Sequence, residues 1–457
     1  MIDPAAPTSG EDRPRDARDL VIRRLTAQAR VFPDLELAPL DTRGLDARDA
    51  RFAAALYAEV IRRWLTLEYL LDQRLNQPLR ELEAKAQGVL LAGAAQILLL
   101  EHVPPHAAVD ESAGWARRNI RAGAAGLVNA VLRRVADLAG EVVDAAAAAS
   151  GTQEAIPLSD GRQRLLRDRV LPIDRLARLA SATGHPRALV QRWAQRYSAA
   201  DLERLLLHNL MHPPVLVRGM TEQTARQSPL LRPHRVPGFA VFTGTHAELL
   251  DFLAANPQAV VQDPAAWSAV AATRELAIGS GLIVDFCAGQ GTKTMGLAEL
   301  HPQAQIVATD VDSRRLAVLR RRFEGHARVR VLEMADLLEY SGRADLLFLD
   351  VPCSNSGVLP RRVEARYRID PDHLRSLVNL QRQIIADSLR LRAPSGRILY
   401  STCSLEPAEN QEQTQWVRTW HRLTVRAQNL AQPRGLPIGA GGDAAEYSDG
   451  GFYALIG

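Results

Sequence analysis

Apolar positions recur at helical spacing through the first third of the chain. In the last two fifths they gather into short apolar runs with helical stretches between them. Residues 49–61 (DARFAAALYAEVI) carry apolar side chains every three to four positions, the stripe of an amphipathic helix. Residues 89–100 (VLLAGAAQILLL) are apolar nearly all round, which predicts a central helix buried on every side. Pro104-Pro105 should end it, because proline lacks the amide that would continue the ladder. Further helices are expected over 107–119 and from Gly126 onward.

Residues 141–164 begin as an Ala/Gly/Ser-rich stretch without a clear period and read as a linker. Over 165–262 the pattern is mixed, with helices expected at 188–197 and 200–209 and strands at 215–218 and 240–242. From 263 on, apolar runs at 283–286, 305–309, 328–332, 345–349 and 396–400 alternate with helical stretches. Such alternation implies a mostly parallel sheet with helices on both faces, a Rossmann-like α/β domain. The chain is thus expected to be multidomain. A polar, disordered tail over 1–18 precedes an all-α domain over 19–140, and the linker follows. A small α+β subdomain fills 165–262, and an α/β Rossmann-like domain fills 263–457.

Composition narrows the classes. No apolar run approaches the ~20 residues that cross a bilayer, and no apolar stretch follows basic residues near the start. A cytoplasmic protein with no membrane association is expected. The three cysteines, Cys287, Cys353 and Cys403, are too few and too scattered for a disulfide framework or a zinc site, so no metal is expected. The net charge of +4 is only mildly basic. Of 56 basic residues just two, Lys85 and Lys293, are lysines, so Lys293 in a Gly-rich turn stands out.

That turn, Asp285-Phe-Cys-Ala-Gly-Gln-Gly-Thr-Lys293-Thr, follows the first strand of the alternating region. A glycine-rich strand-to-helix turn lets a ligand approach the backbone. A phosphate-binding P-loop would need glycine where Thr292 stands, and a dinucleotide fingerprint would need glycine where Thr294 stands. The next strand ends at Asp310, placed to meet ribose hydroxyls, and the third leads to Asp336, which could face an adenine. Acids at successive strand ends form one crevice for a nucleoside-bearing cofactor. S-adenosyl-L-methionine is favoured because thiols lie beyond it.

Those thiols follow two further strands, in Asp350-Val-Pro-Cys353-Ser and Ser401-Thr-Cys403-Ser. Ligands of α/β sheets bind beyond the carboxyl ends of strands, so the two sulfurs can share a pocket beside the cofactor. Methylating C5 of a cytosine needs such a set. A thiolate must add at C6, and a proton donor must meet the charge that develops at N3. The strand ends alone do not rank the two cysteines.

With these segments the chain resembles the Sun-type RNA 5-methylcytosine methyltransferases. Gln262-Asp263-Pro, Arg361-Arg362, Glu364-Ala-Arg366-Tyr-Arg368 and Asp449-Gly-Gly-Phe-Tyr-Ala are similar to that family as well. Gly93-Ala-Ala-Gln-Ile-Leu, Pro105-His-Ala-Ala-Val-Asp-Glu-Ser and Val128-Asn-Ala-Val-Leu-Arg-Arg resemble a NusB-type RNA-binding domain. The resemblance implies that Cys403 is the nucleophile and Cys353 assists release. Asp350 would bind the cytosine edge, and Lys293 would reach towards it. The implied cofactor positions are Cys287, Ala288, Gly289, Gln290, Gly291, Thr292, Lys293, Asp310, Asp336 and Asp350. The implied substrate is RNA, with small-subunit ribosomal RNA favoured, and the protein is expected to act as a monomer.

The chain departs from the family in places. Gln290 stands where the family has proline. Thr292 stands where it has a glycine, which would strain the turn if that position needs positive φ. Val363 replaces a common proline, and Arg218-Gly219 replaces an Arg-x-Asn-like segment. Arg361, Arg362, Arg366 and Arg368 are expected to hold RNA phosphates or stack on bases. Two competing readings remain at this point: an RNA-binding assembly or antitermination factor with a degenerate methyltransferase domain, and a DNA cytosine methyltransferase.

Overall fold

The computed structural model describes residues 14–36, 38–145 and 152–457. The expected tail over 1–18 lies mostly outside the described residues, and the first helix already starts at Ala17. The chain divides into two compact units, one ending at Met211 and the other beginning at His212.

The first unit opens with five helices: α1 (Ala17–Val31), α2 (Ala47–Asp72), α3 (Ala84–Leu98), α4 (Pro105–Asn119) and α5 (Ala122–Leu138). α3 is buried along nearly its whole length, as its all-round apolar pattern predicts. It stops at Leu98, before the two prolines. Pro105 instead takes the first position of α4, where the missing amide costs nothing. Strands then flank the Ala-rich stretch: β1 (Ala139–Val143), β2 (Ala155–Pro157) and β3 (Gln163–Leu166), antiparallel in the order β1-β3-β2. The segment expected to be a linker therefore carries a small sheet, with residues 146–151 outside the described residues. Alanine and glycine leave no alternation by which to read it. Three short helices follow: α6 (Arg175–Thr183), α7 (Arg187–Ala194) and α8 (Ala199–His208). The fully buried Arg63 of α2 donates to the carbonyls of Pro157 and Ala182, fastening β2 and α6 to the long helices. The region expected to be one α+β subdomain is thus shared between the two units.

The second unit begins with β4 (Val215–Arg218), α9 (Glu222–Gln227), β5 (Leu231–Pro233), β6 (Phe239–Phe242), α10 (His246–Ala255) and β7 (Val260–Val261). These strands form an antiparallel sheet, β5-β6-β4-β7, over a small core that includes Val217, Leu231, Ala240 and Phe242. The remainder runs α11 (Pro264–Ala271), β8 (Leu282–Asp285), α12 (Thr292–Leu300), β9 (Gln305–Ala308), α13 (Ser313–Arg322), β10 (Val329–Val331) and β11 (Ala344–Asp350). It continues with α14 (Pro371–Leu389), β12 (Arg392–Thr402), α15 (Gln411–His421), β13 (Val425–Ala431) and β14 (Gly451–Ile456).

The seven strands β8–β14 form one sheet in the order β10-β9-β8-β11-β12-β14-β13. The five expected strands are its parallel part. The last two pair antiparallel and were not legible from the pattern, because β13 (VRAQNLA) is largely exposed and lacks a clean alternation. Each face has its own core. Val284, Leu347 and Leu349 point one way, while Ile283, Leu346 and Phe348 point the other. Burial on both faces is why these strands read as continuous apolar runs. From β8 the chain first moves outward to β9 and β10, then returns to β11 on the other side. That reversal opens a crevice at the carboxyl ends of β8 and β11, where α/β sheets take ligands.

Candidate active site

The turn after β8 is shaped by two glycines with positive φ, Gly289 (58°) and Gly291 (84°). A Cβ at Gly291 would lie 2.6 Å from Phe323 and 2.7 Å from Leu319, so no side chain fits there. At Gly289 a Cβ would meet nothing within 4 Å, which leaves open space over the backbone. Thr292 is the first residue of α12 and is helical, so the position needs no glycine. The expected strain is absent. In place of the family's proline, Arg322 of α13 holds the turn from outside. It donates to the Gln290 carbonyl (2.9 Å) and to Thr292 Oγ1 (3.3 Å).

Asp310 accepts from Gly289 N and Asp312 N, each at 2.9 Å. It does not cap α13; Asp312 does that. Both Asp310 oxygens keep lone pairs for further donors. Asp285 is fully buried at the end of β8. Its Oδ2 accepts from Thr294 (2.6 Å), and Oδ1 has no hydrogen-bond partner among the described residues. Burial pushes this carboxyl up to about 7, against the Thr294 hydrogen bond and helped by the Asp350 charge. Asp336 lies exposed in the 3₁₀ segment Met334–Tyr340. Cys287 packs against the sheet core, and burial raises its thiol, so it offers backbone rather than sulfur chemistry.

The thiols meet because β11 and β12 are adjacent and parallel, with Asp350 paired to Ser401. Cys353 and Cys403 follow by three and two residues, and their sulfurs stand 3.1 Å apart. Lys293 forms an ion pair with Asp350, and Ser401 Oγ donates to the same carboxylate (2.7 Å). Burial works against the Lys293 ammonium, yet Asp350 outweighs it and holds the pKa above the ordinary lysine value. The Cys353 thiol is pushed well up, first by its hydrogen bond to Cys403, then by burial, then by the charges of Cys403 and Glu409. Asn355, absent from the sequence expectations, accepts from the Cys403 thiol at 3.1 Å. Its positive φ of 59° and its bond to the Cys353 carbonyl (3.0 Å) fix that orientation. An asparagine two residues past Pro-Cys, a residue type that tolerates this region, was the only available signal.

The four arginines divide. Arg366 is fully buried, so it cannot serve as the RNA contact expected of it. Arg361 is drawn inward to Asp449 (2.7 Å) and Asp263 (3.6 Å) and stacks on Tyr447. Asp263 also caps α11 and accepts from Asp449 N, so the Gln262-Asp263 and Asp449-Gly-Gly segments join at this ion pair. Burial and the Asp449 charge raise the Asp263 carboxyl, against the pull of Arg361. Arg361, Arg362 and Arg368 all keep part of their side chains at the surface, Arg361 tied to two carboxylates and the other two near Glu364. Arg218 pairs with Glu299 and stacks on Trp267, a structural tie within its own unit.

Comparison with known proteins agrees with this geometry. Residues 278–456 match the family model described as 16S rRNA methyltransferase RsmB/F, and residues 17–137 match the NusB family. The ribosomal RNA small subunit methyltransferase B of Xanthomonas campestris is 31% identical, covering 90% of this chain and 89% of the relative. That of Klebsiella pneumoniae (strain 342) is 27% identical over 96% of each. The crystal structure of PH0851 shares the fold with a TM-score of 0.68, at 18% identity, covering 96% of this chain and 98% of the other. The chain belongs to the RsmB/F family of S-adenosylmethionine-dependent ribosomal RNA cytosine-C5 methyltransferases and carries an N-terminal NusB domain.

Proposed function

We propose that this chain methylates C5 of a cytosine in small-subunit ribosomal RNA through a covalent bond between Cys403 and C6 of the base. The observation that carries this reading is the pair of sulfurs 3.1 Å apart, next to the Lys293–Asp350 ion pair. The crevice fits S-adenosylmethionine: open space over Gly289, the strand-end carboxylate of Asp310, and a buried Asp285 oxygen without a partner. Cys287 to Lys293, Asp310 and Asp336 would hold it, and when bound it supplies an electrophilic methyl group.

Cys403 is the more exposed of the two cysteines, and as thiolate it adds to C6. The C5=C6 electron pair then makes C5 nucleophilic. Asp350, fixed by Lys293 and Ser401, binds the pyrimidine edge, so that the pair presents a proton where charge develops at N3. Once C5 has gained its methyl group a general base takes the C5 proton, the C–H electron pair re-forms the C5=C6 bond, and the S–C6 pair leaves on Cys403 as thiolate. Cys353, a neutral thiol beside Cys403, assists this release. Arg362 and Arg368 provide phosphate contacts, and the NusB domain binds RNA as well. The cytosine must be unstacked to reach the thiols.

Incubation with labelled S-adenosylmethionine and unmodified small-subunit RNA tests the reading. Cys403→Ala should abolish methyl transfer. Cys353→Ala should accumulate a protein–RNA adduct that survives a denaturing gel. Adduct formation by Cys403→Ala and not by Cys353→Ala would reverse the two roles.

A further inference from the structure

Beneath the two thiols lies a buried polar cluster that this reaction does not use. Glu409, in the 3₁₀ segment Pro407–Glu409 between β12 and α15, is fully buried. Its Oε1 accepts from Ser354 N (2.9 Å) and Gln381 Nε2 (2.9 Å), and its Oε2 from Ser404 Oγ (2.5 Å). Ser354 directly follows Cys353, and Ser404 directly follows Cys403. One carboxylate therefore grips both loops a residue beyond each sulfur. The hydroxyls of Ser354, Ser356 and Ser404 close a ring above it at 3.1–3.2 Å. Burial raises the Glu409 carboxyl above its ordinary value, and the hydrogen bonds from Ser354, Ser404 and Gln381 pull it back towards the anionic form.

We propose that Glu409 is a positioning residue for methyl transfer, one that locks the two cysteine loops together and makes their sulfurs chemically unequal. This rests on the reading of Cys403 as the nucleophile. The charge acts on the two sites differently. Cys353 is buried and feels Glu409 directly. Cys403 is half-buried, donates to Asn355, and is the sulfur that interacts more strongly with the Lys293 ammonium. The other titratable groups facing the pair are Tyr400 beneath it and Asp350 on the cofactor side. The Cys403 hydrogen bond and burial keep Cys353 a thiol, and the Glu409 carboxylate held against its loop adds to them, leaving Cys403 to attack.

Glu409→Gln in the full-length chain tests this, because it keeps the side-chain volume and removes the charge. Alkylation of each cysteine by iodoacetamide is followed by peptide mass spectrometry from neutral to alkaline pH. The Cys353 profile should move about one pH unit lower, roughly a tenfold faster reaction at fixed pH, with a smaller change at Cys403. Equal shifts at both cysteines, or none, overturn the proposal, since loosened packing would act on both loops alike. Glu409→Asp keeps the charge and should keep the two thiols unequal even where kcat falls. If it equalises them, the proposal fails, and this holds should Glu409→Gln not fold. Cys403→Ala is assayed alongside. Residual methyl transfer there removes the nucleophile assignment whatever Glu409 does. An inactive Cys403→Ala with an unshifted Glu409→Gln removes the Glu409 proposal alone.

Discussion

The cofactor turn and the cysteine loops lie at neighbouring strand ends and are held in opposite ways. The turn takes its shape from backbone conformation: two glycines with positive φ, one Asp310 bond to Gly289 N, and Arg322 as an outside tether. The cysteine loops take theirs from side chains buried beneath them, Glu409, Ser404 and Ser356. The difference explains where this chain departs from its family. Gln290 and Thr292 are tolerated because neither needs positive φ and neither side chain fills the interior. Under the thiols a comparable exchange would leave a buried amide or hydroxyl without its acceptor, at a cost of about 1–3 kcal/mol each.

Three experiments set the limits of this contrast. The largest effect belongs to Gly291→Ala. It adds a Cβ at φ 84° against Leu319 and Phe323, so calorimetry should show cofactor affinity falling by about 30-fold or more, the equivalent of ~2 kcal/mol or more. Retained affinity would mean that the backbone does not set the turn. The second concerns Asp285, which ionises near 7 in the fold and near 3.8 unfolded. Between those values the native state holds the extra proton, so stability is full below the unfolded pKa and declines as pH rises through the folded one. Asp285→Asn removes this loss. Its Tm relative to the parent should rise by about 3–6 °C between about pH 5 and about pH 8, and a flat difference would show that Asp285 does not titrate there. The smallest effect is expected for Arg322→Ala. An exposed tether contributes little, so cofactor affinity should fall only about two- to fivefold. A loss as large as that of Gly291→Ala would mean that the tether, not the glycine pair, shapes the turn.

Much of the site was legible. Asp350, Cys353 and Cys403 could be placed because strands buried on both faces leave unmistakable apolar runs, and the residues just beyond them inherit a known position. The arginines were harder to read. A run of four in eight residues looks like one basic surface, yet Arg366 is interior and Arg361 turns towards Asp449 and Asp263. Those partners are 88 and 98 residues distant in sequence, and nothing local announces them. Glu409 escaped notice for the same reason. Its position two residues after Glu406-Pro407 reads as a solvated turn, and only the fold shows three donors converging on it.

The sequence by itself determined the helical start, the parallel sheet and the residue types at its strand ends. These rest on periodicity and on residue type, which are local properties. The tertiary structure alone decided the strand order that sets the sulfurs 3.1 Å apart, the inward turn of Arg361, and the buried carboxylate that joins both loops. Each of these is a contact between residues far apart in the chain. Such contacts depend on which strands become neighbours, and side-chain periodicity carries no record of that.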